Sequence, residues 1–221
     1  MNTYQLTEES FLKEVDQHVM EVIHEDGVFR HLRFKQPGTV CMHFDLITWP
    51  GRLCYTGDMG TFVFSRTHDM LEFFRPDAYA RAAPFKRIDR RYWAEKVDAS
   101  GRDGTTEFSE ERFNRAVLEH LVTWIRNHRD DTTKEERRDL WDAVMSEVIG
   151  ADGDSGGYRK QCAAHDFFHQ VNHGLKFYFR DFWEVNVEEF THRFTWCCYA
   201  LRWAVMKYDE VKAAQQATVI A

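Results

Sequence analysis

Apolar positions along the chain change period twice, and each change marks a change of element. Thr7 followed by Glu8, Glu9 and then Phe11, Val15, Val19 and Ile23 provides an N-cap, an acidic first turn and an i, i+4 apolar stripe. That spacing predicts a first helix ending before Gly27. From Val28 to Arg66 the period becomes two, through Val28-Leu32-Phe34, Val40-Met42-Phe44-Leu46, Leu53-Tyr55 and Phe62-Phe64. Pro37-Gly38, Pro50-Gly51 and Gly57-Asp58-Met59-Gly60 separate these runs, so a four-stranded antiparallel meander is expected.

Helical spacing returns after Thr67. The stretch from Asp69 to Phe74 reads as a short helix stopped by Pro76, and the one from Tyr92 to Val97 as another before Ser100-Gly101. Ser109 caps a helix carrying Phe113, Val117, Leu121, Trp124 and Ile125, and Thr133 with Glu136 forms a capping box for one carrying Leu140, Val144, Met145 and Val148. Gly150 to Gly157 reads as a loop, and Tyr158 to His173 as a helix closed by Gly174. In the last element, which Asp181 with Glu184 would cap, Phe190, Phe194, Cys197, Leu201, Ala204 or Val205 and Tyr208 recur at spacings of three and four. Trp183, Trp196 and Trp203 make much of its circumference apolar, so this helix is expected to lie buried against the sheet or a partner. The fold class is α+β, a four-stranded meander packed with an N-terminal helix and a C-terminal helical array. A single domain is expected over residues 1–221, with the sheet and short helices in 1–100 and the helical part in 101–221.

Composition supports a packed core. Of 221 residues, 18 are Phe, 8 Tyr and 7 Trp, with only 4 Pro. The formal charge of −7 argues against broad phosphate-backbone binding, which needs clustered cations, so nucleic acid is not the expected partner. The densest basic stretch, Arg81 to Arg91 followed by Tyr92 and Trp93, would make a nucleic-acid-binding module only if those rings are exposed. The N-terminal residues lack a secretory pattern and no run approaches bilayer length, so a cytoplasmic protein without membrane contact is expected. Five cysteines without a C-x-x-C spacing fit reduced thiols.

Candidate chemistry is sparse. His165, His169 and His173 sit four apart, and on one helix they would share a face beside Asp166. Three histidines spread over about 12 Å of helix axis exceed the reach of one ion. His165 or His169 with an outside carboxylate is the remaining metal candidate, and the one route to a metal-dependent hydrolase. Asp152-Gly153-Asp154-Ser155-Gly156-Gly157 starts like a calcium loop, but its twelfth position is Ala163 and the bidentate glutamate is missing. Cys41 and Cys54 fall in strands with His31 and His43 on neighbouring ones, where a thiolate–imidazolium pair is conceivable and an inert sheet cysteine is the simpler reading. No Walker loop, dinucleotide fingerprint or Gly-x-Ser-x-Gly elbow is present, so no cofactor and no catalytic residue are assigned. Surface anchors are left: Trp49, Arg52, Asp58, Met59 and Arg66, at the tips and outer strand of the meander, are candidate partner-binding residues. The strand Phe62 to Arg66 would accept a partner strand if nothing covers it.

The strings Ile47-Thr48-Trp49-Pro50-Gly51-Arg52-Leu53, Gly57-Asp58-Met59-Gly60-Thr61-Phe62-Val63-Phe64-Ser65-Arg66 and Asp69-Met70-Leu71-Glu72-Phe73-Phe74-Arg75, continued by Tyr92-Trp93-Ala94-Glu95-Lys96 and Arg193-Phe194-Thr195-Trp196-Cys197-Cys198-Tyr199-Ala200-Leu201, resemble an uncharacterised family of bacteriophage and prophage proteins. The resemblance covers residues 28–97 and 177–209 and leaves out the three histidines. It implies a phage-encoded accessory protein acting in the bacterial cytoplasm on a host protein or ribonucleoprotein complex, as inhibitors of host defence such as anti-CRISPR proteins do. It transfers no catalytic residue. A homodimer is compatible with the same reading.

Overall fold

A computed structural model of the chain describes residues 6–79, 81–102, 104–151 and 157–220. The first helix, α1 (Glu8–Glu14), is closed into a capping box by Thr7 and Ser10 and buries Phe11. It stops earlier than its stripe predicts. Val19 and Ile23 belong to a strand, β1 (Val19–Asp26), which turns at Gly27 and pairs antiparallel with β2 (Phe29–Lys35). Two residues four apart satisfy a helix and a bulged strand equally well, and a strand partner outweighs a weak local helix of β-branched residues. The chain continues through β3 (Phe44–Trp49), β4 (Arg52–Gly57) and β5 (Gly60–Ser65) to two single-turn helices, α2 (Met70–Phe74) and α3 (Arg90–Ala94), capped by Asp69 and Asp89. A last strand, β6 (Val97–Ser100), pairs with β5. The sheet therefore has six antiparallel strands in the order β1-β2-β3-β4-β5-β6, not four. Both additional strands lie at its edges. β5 is interior, and Phe62 to Arg66 offers no free edge.

From β7 (Thr106–Phe108) the chain becomes mainly helical. Ser109 caps α4 (Glu110–Asn127), and the Thr133–Glu136 capping box opens α5 (Lys134–Val144), which runs on as a π turn over Met145–Ile149. The next helix, α6 (Tyr158–Asp166), ends eight residues before Gly174, because the backbone turns extended at Phe167. His169 lies in a short hairpin of β8 (His169–Gln170) and β9 (Lys176–Phe177), whose turn is held by the Asn172 carboxamide oxygen accepting the Gly174 and Leu175 amides. The three-histidine helix face is thus not formed. The calcium-like stretch Asp152 to Gly156 lies outside the described residues. A 3-10 turn over Phe182–Glu184 and β10 (Glu188–Phe190) lead to the final helix, α7 (His192–Ile220). Its start is served by Thr191, whose hydroxyl accepts the Phe194 amide at 3.1 Å, rather than by Asp181 and Glu184.

The chain divides into two compact units, residues 107–189 and residues 1–106 with 190–221. In the sheet unit, alternate residues Leu32, Phe34, Phe44, Leu46, Leu53, Tyr55, Phe62 and Phe64 form one buried face, and α7 packs on it. Trp196 meets Phe11 and Phe44 at ring distances of 5.1 and 5.6 Å, Phe194 meets Phe62 at 5.4 Å, and Trp203 meets Phe34 at 5.7 Å. The Trp196 and Trp203 rings of the last helix are therefore core within its own unit, whereas Trp183 lies outside the helix, in the 3-10 turn, and is exposed. The inserted unit has its own core of Phe113, Val117, Leu121, Leu140, Val144, Val148, Phe177 and Phe182 among others. Acidity is confined to it: residues 107–189 hold 18 Asp and Glu against 11 Lys and Arg, which is the whole net charge of −7, while the rest of the chain balances at 18 of each. Among the described residues no helix is long and apolar enough to cross a membrane.

Candidate functional site

The face of the six-stranded sheet opposite α7 is set by strand alternation and register. Across it runs a central row, His24–His31–Ile47–Cys54–Val63–Ala99, of half-exposed or exposed residues. One flank is the row Glu21–Arg33–Asp45–Thr56–Thr61, and the other is Trp49–Arg52–Ser65. Phe29, 50% exposed, shares this face by alternation and stands on the strand next to Trp49, 36% exposed. The apolar part, Ile47–Cys54–Val63–Ala99 with Phe29 and Trp49 to one side, is bordered by polar and charged residues, the anatomy of a protein interface.

Its charges are internally paired. Asp45 is buried and accepts the Arg33 fork at 2.9 and 2.8 Å, with His31 Nε2 2.8 Å from its second oxygen. Burial opposes the charge of Asp45, yet the hydrogen bonds from Arg33 and His31 hold its pKa below the ordinary value of 3.8. Arg52 Nε lies 3.1 Å from Asp98, which also accepts the Ser65 hydroxyl at 3.0 Å. Replacing Asp45 by Asn is expected to cost about 1–3 kcal/mol at neutral pH, because the Arg33 guanidinium and the His31 ring lose their acceptor at a partly desolvated place. A depressed carboxyl stabilises the fold fully above its unfolded pKa, and that contribution disappears as pH falls through the folded value. Chemical denaturation from pH 7 to 3 should therefore show a shallower acid decline in D45N than in the parent.

The structure separates the five surface anchors read from the sequence. Trp49, Arg52 and Arg66 cluster at one end of the sheet, where Trp49 is paired with Arg52 and Arg52 with Ser65. Asp58 and Met59 occupy the opposite end. Asp58 accepts the Met42 amide at 2.6 Å and lies 3.0 Å from His43 Nδ1, so it fastens a turn in which Met42 has a positive φ. Met59 is half-buried against the core and borders a cavity of about 270 Å³ with Thr61, Arg102 and Arg193. Phe29 and Asp45 escaped the sequence reading, and His31 entered it only as a possible partner of a strand cysteine; register sets Phe29 on the strand next to Trp49 and joins His31 and Arg33 to Asp45.

The chemical candidates do not assemble. Cys54 stands two strands from His31 with Ile47 between, about 10 Å by strand spacing. Burial raises its thiol pKa, the reverse of nucleophile activation. His43 is engaged with Asp58, and Cys41 is exposed in the preceding turn. His165 on α6 pairs with Asp166 at 2.8 Å in the open, while His169 stacks near the Phe167 ring. Among the described residues no three His, Cys, Asp or Glu side chains are grouped to hold a metal. In the basic stretch, Trp93 is buried, Tyr92 lies under the Lys96 ammonium and Arg90 packs on Tyr199, so the rings offer no stacking platform for bases. In comparisons with models of protein families, with curated protein sequences and with solved structures, nothing matches this chain.

Proposed function

We propose that the chain is a non-enzymatic, phage-encoded accessory protein that binds and blocks a bacterial host protein or ribonucleoprotein. The observation that carries this reading is the open sheet face, where Phe29 and Trp49 stand exposed beside a half-exposed apolar strip and the neighbouring charges are already paired. A solvent-facing sheet side is ordinarily polar, so an apolar strip with an aromatic pair favours a partner surface over water. The occupant is a folded host protein whose own nucleic-acid-binding surface is basic. The net charge of −7 draws such a protein towards the chain at long range.

The test uses the purified chain as bait for bacterial lysate beside the double variant Phe29→Ala, Trp49→Ala. Both positions are exposed and outside the core, so the variant keeps its circular dichroism spectrum. A basic host protein retained in stoichiometric amount by the parent, at least about tenfold less by the variant and less at raised salt, is the expected result. Equal retention by both baits refutes the assignment of this face. Self-association abolished by the same variant replaces the host protein by a second copy and refutes the proposed occupant.

A further inference from the structure

Almost every buried or half-buried cation of the sheet unit faces a carboxylate. Arg30 is held by Asp69 at 3.0 and 2.9 Å, Arg33 by Asp45, Arg75 by Asp209 at 2.7 and 2.8 Å, and Lys212 by Glu25 at 2.5 Å. Arg202 breaks the pattern. It lies on α7 among core side chains, only 5% exposed, and its Nε and Nη1 have no hydrogen-bond partner among the described residues. Its guanidinium stacks on the Trp93 ring of α3 at 5.3 Å. One turn before Trp93, Arg90 reaches back to α7, stacks on Tyr199 at 5.4 Å and donates to the Tyr199 hydroxyl at 3.0 Å, with its own Nε buried and unpartnered.

Both stacking contacts join α3 to α7. Arg90 and Trp93 are i, i+3 on α3, Tyr199 and Arg202 are i, i+3 on α7, and each arginine covers a ring of the opposite helix. Neither can shed its proton near neutrality, so two positive charges persist where solvent is scarce. The neighbourhood supplies little to offset them. Asp77, exposed, is the acid whose field reaches Arg202, and burial outweighs it and lowers the Arg202 pKa. The Cys198 thiol, one turn before Arg202, is fully buried and pushed far above its ordinary pKa, so it carries no charge. A water molecule could accept one of the orphan N–H groups, but it would leave both charges uncompensated.

We infer that the space between α3 and α7 at Arg90 and Arg202 is a binding site for a small oxyanion of the phosphate or carboxylate class. Three buried N–H donors, Nε and Nη1 of Arg202 and Nε of Arg90, have no acceptor among the described residues, and oxyanions answer such forks with charge-assisted, bidentate bonds. This site is independent of the sheet-face reading and stands or falls separately.

The whole chain is melted at constant ionic strength in sodium chloride, then with inorganic phosphate or acetate up to about 50 mM, beside the variant Arg202→Met. A ligand confined to the folded state raises the melting temperature in a saturable way. Saturable stabilisation of the parent is expected with phosphate, with acetate or with both, and which one acts identifies the class. Arg202→Met should lose that response and, without oxyanion, melt as high as the parent or higher, because methionine fills the place without a buried charge. Salting-out by phosphate is common to both proteins and cancels in the comparison. Should Arg202→Met fail to fold, Arg90→Gln replaces it, with at least tenfold weaker binding of the stabilising oxyanion by calorimetry expected. A parent insensitive to both oxyanions overturns the inference, and so does a variant that responds as the parent does.

Discussion

Trp196→Ala is expected to lower the unfolding free energy of the sheet unit by about 3–5 kcal/mol, the range for removing a fully buried large aromatic side chain. Trp196 has no exposed surface and meets three rings at once: Phe11 of α1 at 5.1 Å, Phe44 of β3 at 5.6 Å and Tyr55 of β4 at 6.5 Å. Its indole N–H also donates to the Glu14 carboxylate at 2.6 Å, tying the end of α1 to α7. Alanine removes the edge-to-face contacts and the donor together and leaves a cavity on every side. Against a total domain stability of about 5–15 kcal/mol, such a loss brings the unit close to half unfolding at ordinary temperature. Urea titration followed by far-ultraviolet circular dichroism measures it. Trp196→Phe should recover more than half of the loss, since the ring contacts survive and only the hydrogen bond and part of the volume go. A loss under about 1 kcal/mol for the alanine variant would remove Trp196 from the centre of the packing.

Gly57→Ala ranks second, and its effect comes from backbone crowding. Gly57 ends β4 opposite Phe44, and a Cβ there would sit 2.2 Å from the His43 carbonyl oxygen and 2.7 Å from Phe44 Cα. Both are backbone atoms of the neighbouring strand, so relief requires β3 to move, taking along the buried Phe44 ring. Overpacking of this kind costs about 1–3 kcal/mol and occasionally more, and the upper end is expected here because the contact is with backbone. The Asp58 amide, which donates to the same His43 oxygen at 3.1 Å, would be displaced as well. Gly51 in the other tip provides the comparison. An added Cβ meets nothing within 4 Å there, and the cost of Gly51→Ala is confined to its φ of +77°, about 1–2 kcal/mol. Denaturation midpoints should therefore fall further for Gly57→Ala; the reverse order would show that the two hairpin tips are not limited by strand approach.

Local signals proved legible where their physics is local. Thr7, Asp69, Ser109 and Thr133 accept amides two or three residues ahead of them, and a hydroxyl or carboxylate at that spacing needs no distant partner. The four middle strands follow from alternation bounded by Gly and Pro turns. Misreadings cluster where a short apolar spacing served two structures. Val19 and Ile23 fit a helix or an edge strand, and the choice fell to β2, to which β1 pairs over its length. Val97 continued a helical pattern but follows α3 into β6 along β5. The histidine row stops being helical at Phe167, where no proline or glycine announces the turn.

The candidate site shows the same division at finer grain. Trp49 and Arg52 are visible as turn-flanking residues with interface chemistry, whereas Phe29 and His31 stand 18 to 23 residues away in the sequence and reach that face only through register. Arg202 is hidden in the opposite sense, a cation inside an aromatic run, and nothing in that run tells a snorkelling arginine from an interior one. By itself the sequence determined the caps at Thr7, Ser109 and Thr133, the turns, the alternating face and an α+β class, because each depends on groups within about four residues or on a simple period; the cap read at Asp181 and Glu184 failed, since Thr191 opens α7. Tertiary structure alone decided the two edge strands, the burial of α7 against its own sheet, the confinement of acidity to one compact unit and the stacking contacts of Arg90 and Arg202 that join α3 to α7. Those outcomes turn on which distant surfaces exclude water together, and burial energy between segments far apart in the chain leaves no mark on the spacing of either one.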